Sequence, residues 1–153
     1  MSTNEVQILI GEIKCLSVKA DQSLLENAKK NGIDYAGSMD FEISNLPDNG
    51  HEIVFKILQG VVLKGKSDKI VLLVESQSKF KIEPFNVEMF IPPVQPGVSR
   101  LILQMAQMSL ANNSGMFCIL KEDLKLSAIQ LGSIPEAALK AKINQQLNQP
   151  SKN

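Results

Sequence analysis

The chain has 153 residues, of which 44% are hydrophobic and 21% charged, with 16 basic and 16 acidic side chains. This length and composition predict one globular domain over residues 1–148 and a disordered tail over residues 149–153. A net charge of zero argues against a nucleic-acid-binding protein, which needs a basic excess. No signal peptide and no apolar run of roughly 20 residues is present, so we expect a cytoplasmic protein without membrane insertion.

The first part of the chain predicts a long strand followed by a short helix. Apolar residues alternate from Val6 to Ile10 and the alternation slips at Gly11, which predicts a strand over residues 6–18 with a β-bulge at the glycine. Residues 21–31 predict one or two helical turns that end at an Asn-Gly pair.

Three further strands are predicted over residues 39–43, 52–64 and 69–82. The segments between them are short and rich in Pro, Asn, Gly and Lys, which is typical of an antiparallel meander. A crossover loop over residues 84–97 follows, because its four prolines exclude both a helix interior and a central strand.

Two helices complete the predicted order of elements. Apolar residues at spacings of three and four predict a helix that begins at Pro96 and frays at residues 111–115, a run of Ala, Asn, Ser and Gly. A second helix over residues 133–147 begins with the capping-box spacing of Ser133 and Glu136. The chain therefore predicts an α+β fold, with a four-stranded antiparallel sheet followed by a long helix and a C-terminal helix.

No pattern in the sequence predicts an enzyme. His51 is the only histidine, and its place after Asn-Gly predicts an exposed turn residue. Cys15 and Cys118 lie among apolar residues, which predicts two small buried side chains and no metal site. Residues 60–67 match the spacing of a phosphate loop, but they lie between two predicted strands, whereas a phosphate loop joins a strand to a helix. We expect no catalytic residue, no cofactor and no metal.

Methionine and phenylalanine side chains concentrate around the crossover loop and the long helix. Methionine adapts to irregular partners, so this set indicates either a surface that binds varied polypeptides or ordinary core and subunit-interface residues. One sheet and two helices leave apolar surface that a single chain does not cover, which favours a homo-oligomer. The candidate polypeptide-binding residues are Phe80, Phe85, Met89, Phe90, Met105, Met108, Met116 and Phe117.

The order of elements resembles the SecB family of protein-export chaperones over about residues 5–148. The resemblance is carried by the apolar strand at residues 70–77, by Pro96 shortly before Arg100, and by the Gly-Met-Phe run at residues 115–117. It implies a SecB-like, ATP-independent holdase for unfolded client polypeptides. It also implies a homotetramer built as a dimer of dimers.

The resemblance further implies that carboxylates on the sheet contact a translocation motor. Cys15 and Lys19 stand where the family has acids on its first strand, and Glu75 alone keeps an expected carboxylate. Glu75 is therefore the motor-docking candidate, and the two departures argue against tight docking and favour a divergent chaperone. An adaptor or structural subunit of a larger assembly and a small-ligand binder remain alternatives.

Overall fold

A computed structural model describes residues 6–45, 51–84, 87–123 and 134–148. Its strands are β1 (Gln7–Ala20), β2 (Ile33–Asn45), β3 (His51–Leu63) and β4 (Lys66–Glu83). They form one antiparallel sheet in the order β1-β4-β3-β2, so β2, β3 and β4 form the expected meander and β1 joins beside β4.

Helices α1 (Gln22–Asn31), α2 (Pro96–Asp123) and α3 (Glu136–Leu147) accompany this sheet, with a short 3-10 helix at Val87–Phe90. The α+β fold class and the four-stranded antiparallel sheet are confirmed. The predicted turn over residues 46–50 and the predicted tail over residues 149–153 lie outside the described residues.

The edge strand β1 has the irregularity that its sequence predicts. The pairing of β1 with β4 shifts register between Ile10 and Ile13, on either side of Gly11. A second shift lies between Cys15 and Ser17. Each shift is a β-bulge or similar irregularity, which bends and twists the strand locally.

Strand β2 is much longer than the predicted residues 39–43. It pairs with the whole of β3, from Ile33 opposite Leu63 to Asn45 opposite His51. Gly37 and other poor strand formers lie in the added part, so pairing with a complete neighbouring strand outweighs their intrinsic preference.

The hairpin between β3 and β4 contains the residues that match the phosphate-loop spacing. Residues 60–67 run from strand through a turn at Lys64 and Gly65 back to strand, as predicted. Gly65 has a φ of 73°, a conformation that glycine adopts without steric cost. A Cβ on Gly60 would lie 2.8 Å from the carbonyl oxygen of Leu72, so this glycine permits close approach to β4.

Helix α1 matches its predicted limits. The carboxylate of Asp21 accepts a hydrogen bond from the Ser23 backbone N–H at 3.0 Å, and the helix ends at Gly32, which has a φ of 87°. Hydrogen bonds from Ser23 lower the pKa of Asp21 below its usual value. The helix buries Ala28 against apolar residues at the β3–β4 hairpin end of the sheet.

Helix α2 continues through residues 111–115, where the sequence predicts its end, so that prediction is wrong. Asn113 is fully buried and its Nδ2 donates to the side-chain oxygen of Gln59 at 2.8 Å. One turn later, Phe117 is buried in a cluster with Leu72 and Val74. These tertiary contacts hold the helix through a run of weak helix formers.

Helix α3 packs on the β2 side of the sheet. Its residues Leu139, Ile143 and Leu147 are buried, as their spacing predicts. Its N-cap is Pro135, which forms no side-chain capping bond, and Ser133 of the predicted capping box lies outside the described residues.

The main core lies between α2, α3 and one face of the sheet. Phe55 is fully buried at its centre, stacked on Phe41 and edge-on to Phe80. Because α2 contacts β3 and β4 and α3 lies toward β2, neither helix covers β1. The fold therefore leaves most of β1 outside the core, although Ile8 of this strand packs against it.

Candidate functional site

The first feature of the site is a group of exposed apolar side chains along β1. Among its 14 residues, only Ile8 and Ser17 are half-buried, and the others are exposed. Ile10 is 56% exposed and lies directly before the first register shift of the strand. We call the exposed apolar residues of this strand the β1 strip: Leu9, Ile10, Ile13, Leu16 and Val18.

The second feature is the open edge of the same strand. β1 is the outermost strand and pairs only with β4, so its other edge has no neighbouring strand in the described part of the chain. Such an edge presents backbone N–H and C=O groups that can pair with another extended segment. Backbone pairing groups and apolar side chains therefore lie on one strand.

The opposite edge of the sheet is covered in part by α3. Lys142 forms an ion pair of 3.3 Å with Asp40 of β2. The side-chain nitrogen of Gln146 lies 3.5 Å from the carbonyl oxygen of Phe41, also on β2. An ideal Cβ on Gly37 would contact the Ile134 side chain, just before α3. The two edges of the sheet therefore differ in how accessible they are.

One flank of α2 extends the apolar surface beside β1. Because α3 lies on the β2 side of α2, the opposite flank of α2 lies toward β1. At 3.6 residues per turn, Leu101, Met108 and Ile119 share this flank. Leu101 and Met108 are half-buried against the core, whereas Ile119 is 65% exposed.

Polar groups lie between the apolar side chains of the β1 strip. The Ser17 hydroxyl donates to a carboxylate oxygen of Glu75 on β4 at 3.2 Å, and Glu75 is half-buried. Lys14 and Lys19 are exposed on β1 itself. Lysines and bulges on an edge strand hinder its joining with the regular edge of another sheet.

The structure distributes the eight candidate polypeptide-binding residues over three environments. Phe80, Met105 and Phe117 lie in the core, with at most 3% of their surface exposed. Four others are half-buried and lie around the start and flank of α2: Met89, Phe90, Met108 and Met116. Phe85 lies outside the described residues. Their role in binding polypeptides stays a prediction.

His51 is not an exposed turn residue, so that prediction is wrong. Its side chain is only 4% exposed, and Nε2 accepts a hydrogen bond from the Ile82 backbone N–H at 2.8 Å. Burial lowers the pKa of His51 below its usual value, and the nearby Lys81 charge lowers it further, while Glu83 opposes the shift. The imidazole therefore joins β3 to β4 in its neutral form.

Both cysteines are exposed, which contradicts their predicted burial. Cys15 lies on the uncovered strand β1, and Cys118 lies on the outward side of α2, so both side chains are exposed to solvent. Within the described residues, no three His, Cys, Asp or Glu side chains are grouped as metal ligands would be. None of the helices in that part of the chain combines the length and hydropathy that crossing a bilayer requires.

Sequence reasoning did not single out the β1 strip. Alternating apolar residues predict a strand with one buried face, but they do not show whether a helix covers that face. The available signal was the number of elements, since one sheet and few helices leave a strand uncovered. The strand order places β1 outside β4, so β1 is the strand that stays uncovered.

No family model matches the chain, and no curated protein matches it. Among solved structures, the chain is similar to a SecB-like chaperone of Mycobacterium tuberculosis, determined in complex with a ChAD peptide from the HigA1 antitoxin. The two chains are 13% identical with a TM-score of 0.46, and the match covers 83% of this chain and 90% of that chain. The function of this chain is therefore argued from its own residues.

Proposed function

We propose that this protein is a SecB-like, ATP-independent chaperone that holds unfolded client polypeptides at the β1 strip in the cytoplasm. The observation that carries the proposal is an edge strand of 14 residues with exposed apolar side chains, whose outer edge pairs with no strand among the described residues. An extended client segment can add to such an edge by backbone hydrogen bonds, while its apolar side chains cover those of the strip.

The irregular shape of β1 favours an unfolded client over a folded partner. Its two register shifts and the exposed Lys14 and Lys19 hinder the close approach of a straight, rigid strand. A flexible segment can follow each bend and place its own side chains between the lysines. The strip therefore fits a disordered chain of mixed sequence better than the edge of a completed sheet.

The test is an aggregation assay with a guanidinium-unfolded enzyme, diluted into buffer without nucleotide and followed by light scattering. We expect the protein to suppress scattering at near-equimolar ratio, and Ile10→Lys to weaken binding of a fluorescent extended peptide by about tenfold, because it removes apolar burial. The matched control is Ile91→Lys, which replaces an isoleucine of 59% exposure outside the strip. Equal loss in both variants, or unchanged scattering with the native protein, contradicts the proposal.

The adaptor alternative predicts a different binding profile for the same strip. An adaptor binds one folded partner tightly and leaves the aggregation of unrelated unfolded proteins unchanged. A chaperone binds several unrelated unfolded proteins with similar affinity, and each of these clients displaces another in a competition assay. The aggregation assay with three unrelated clients therefore distinguishes the two functions.

We also propose that the chain forms a homo-oligomer, a tetramer built as a dimer of dimers, in which the outer face of α2 forms one of the interfaces. Residues 101–120 contain no charged side chain. Solvated helix faces normally carry charges, whereas the centres of interfaces are depleted of them. The exposed residues of this face are Gln104, Gln107, Ala111, Gly115 and Cys118.

A contact between Glu75 and a translocation motor, with a role in protein export, is a separate prediction. Glu75 is half-buried and accepts the hydrogen bond from Ser17, so a motor residue has to compete with that hydroxyl. A Glu75→Gln variant that binds clients normally but loses affinity for a motor supports this role.

A further inference from the structure

A cleft of about 590 Å³ lies between the beginning of α2 and one face of α3. Its apolar lining includes Val94, Leu103 and Ile143. Arg100 and Lys140 lie among its polar lining residues. The volume is in the range of small-molecule sites, which combine apolar walls with a few polar groups.

The two cations of the cleft are in different electrostatic states. Lys140 Nζ forms an ion pair of 3.0 Å with Glu136 Oε1, so its charge is largely balanced. Arg100 forms no hydrogen bond or ion pair within the part of the chain that the structure describes. Its guanidinium is therefore the cation of the cleft that lacks a partner among the described residues.

The polar groups beside Arg100 are suited to binding an oxyanion. Ser99 supplies a hydroxyl donor and Asn144 an amide donor at the same cleft. A guanidinium presents two parallel N–H donors that match the two oxygens of a carboxylate. Glu136 is the one acidic side chain among the described lining residues, and it forms an ion pair with Lys140.

We propose that this cleft binds a small organic carboxylate with an apolar body, an aliphatic or aromatic acid. The apolar part lies against the half-buried Val94 and Leu103, and the carboxylate pairs with Arg100. The cleft lies on the α3 side of α2, whereas the β1 strip lies beyond the opposite flank. Binding of an acid is therefore independent of the proposed chaperone function, and an experiment can contradict one of the two proposals without contradicting the other.

The test is a titration of the full chain with octanoate, followed by two-dimensional NMR of the methyl groups. We expect saturable shifts at Leu103 and Ile143, and no comparable shifts with octan-1-ol, which has the same chain but no charge. Arg100→Gln should weaken octanoate binding by about tenfold or more, since a hydrogen bond to a charged group is lost. Arg100 is exposed, so this variant is expected to fold.

The matched control is Lys142→Gln, which removes an exposed cation of α3 that pairs with Asp40 and does not line the cleft. It should leave octanoate affinity within about twofold, because exposed ion pairs contribute little. Equal binding of octan-1-ol, or equal affinity of the native protein and Arg100→Gln, overturns the proposal. So does an absence of shifts at Leu103 and Ile143.

A second titration identifies the source of the carboxylate. A tripeptide ending in leucine is compared with its C-terminal amide and with octanoate. If the free tripeptide binds more tightly than both, the carboxylate comes from polypeptide chain ends. If octanoate binds more tightly, the ligand is a free organic acid. Either result supports the site, whereas equal binding of the tripeptide and its amide with an affinity at least that of octanoate overturns it.

Discussion

His51 shows how a single buried side chain makes stability depend on pH. Its Nε2 accepts a backbone N–H from Ile82, so a protonated imidazole would present a second donor to that N–H. The folded state therefore binds the proton more weakly than the unfolded state, whose histidine titrates near pH 6.5.

From this lowered pKa of His51 we predict that the free energy of unfolding is largest above about pH 6.5 and decreases as the pH falls below it. The unfolded state gains a proton first, and the slope for one proton is at most about 1.4 kcal/mol per pH unit. Urea unfolding of the native protein and His51→Gln between pH 7.5 and pH 5.5 measures this. In His51→Gln the free energy of unfolding should decrease less between pH 7.5 and pH 5.5 than in the native protein. An equal decrease in both proteins would show that His51 does not contribute.

Helix α2 shows how tertiary contacts decide the length of an element. Residues 111–115 have weak helix preference, yet the helix continues to Asp123. Asn113 is bonded to Gln59 under the helix, whereas its neighbour Asn112 is half-buried beside it. The two asparagines have the same intrinsic helix preference and differ only in the contacts of their side chains.

We therefore predict opposite effects for two adjacent substitutions in α2. Asn113→Ala should lower the free energy of unfolding by about 1–3 kcal/mol, because it removes a buried hydrogen bond. Asn112→Ala should be neutral or stabilising, because alanine is the better helix former. Urea unfolding measures both, and hydrogen exchange of residues 109–119 should rise in Asn113→Ala. Equal stability of the two variants would contradict the role given to the Gln59 contact.

Local patterns predicted the elements whose contacts follow from their own sequence. The bulge near Gly11, the limits of α1 and the buried face of α3 all depend on periodicity or on glycine geometry. The length of β2, the length of α2 and the burial of His51 depend on distant partners, and these predictions were wrong. The accessible strip on β1 belongs to the second group, since it depends on the order of strands in the sheet.

At the scale of the whole molecule, the proposed tetramer is tested at the uncharged outer face of α2. Size-exclusion chromatography with light scattering should give a tetramer for the native protein. Ala111→Glu should give a smaller species, because it buries a charge in the proposed interface. The matched control Ala138→Glu changes an exposed alanine of α3 and should keep the native mass. A native monomer, or one mass for all three proteins, would contradict the proposed assembly.

The inequality of the two sheet edges has a consequence for stoichiometry. Since α3 occupies part of the β2 side, a foreign strand can be added along β1, whereas a second foreign strand would pair only with the first and would contact no side chain of the β1 strip. Each subunit should therefore saturate with one guest segment, and an excess of guest should remain in solution unbound. Ordered fibres, which require addition at both ends of every unit, should not propagate from this protein.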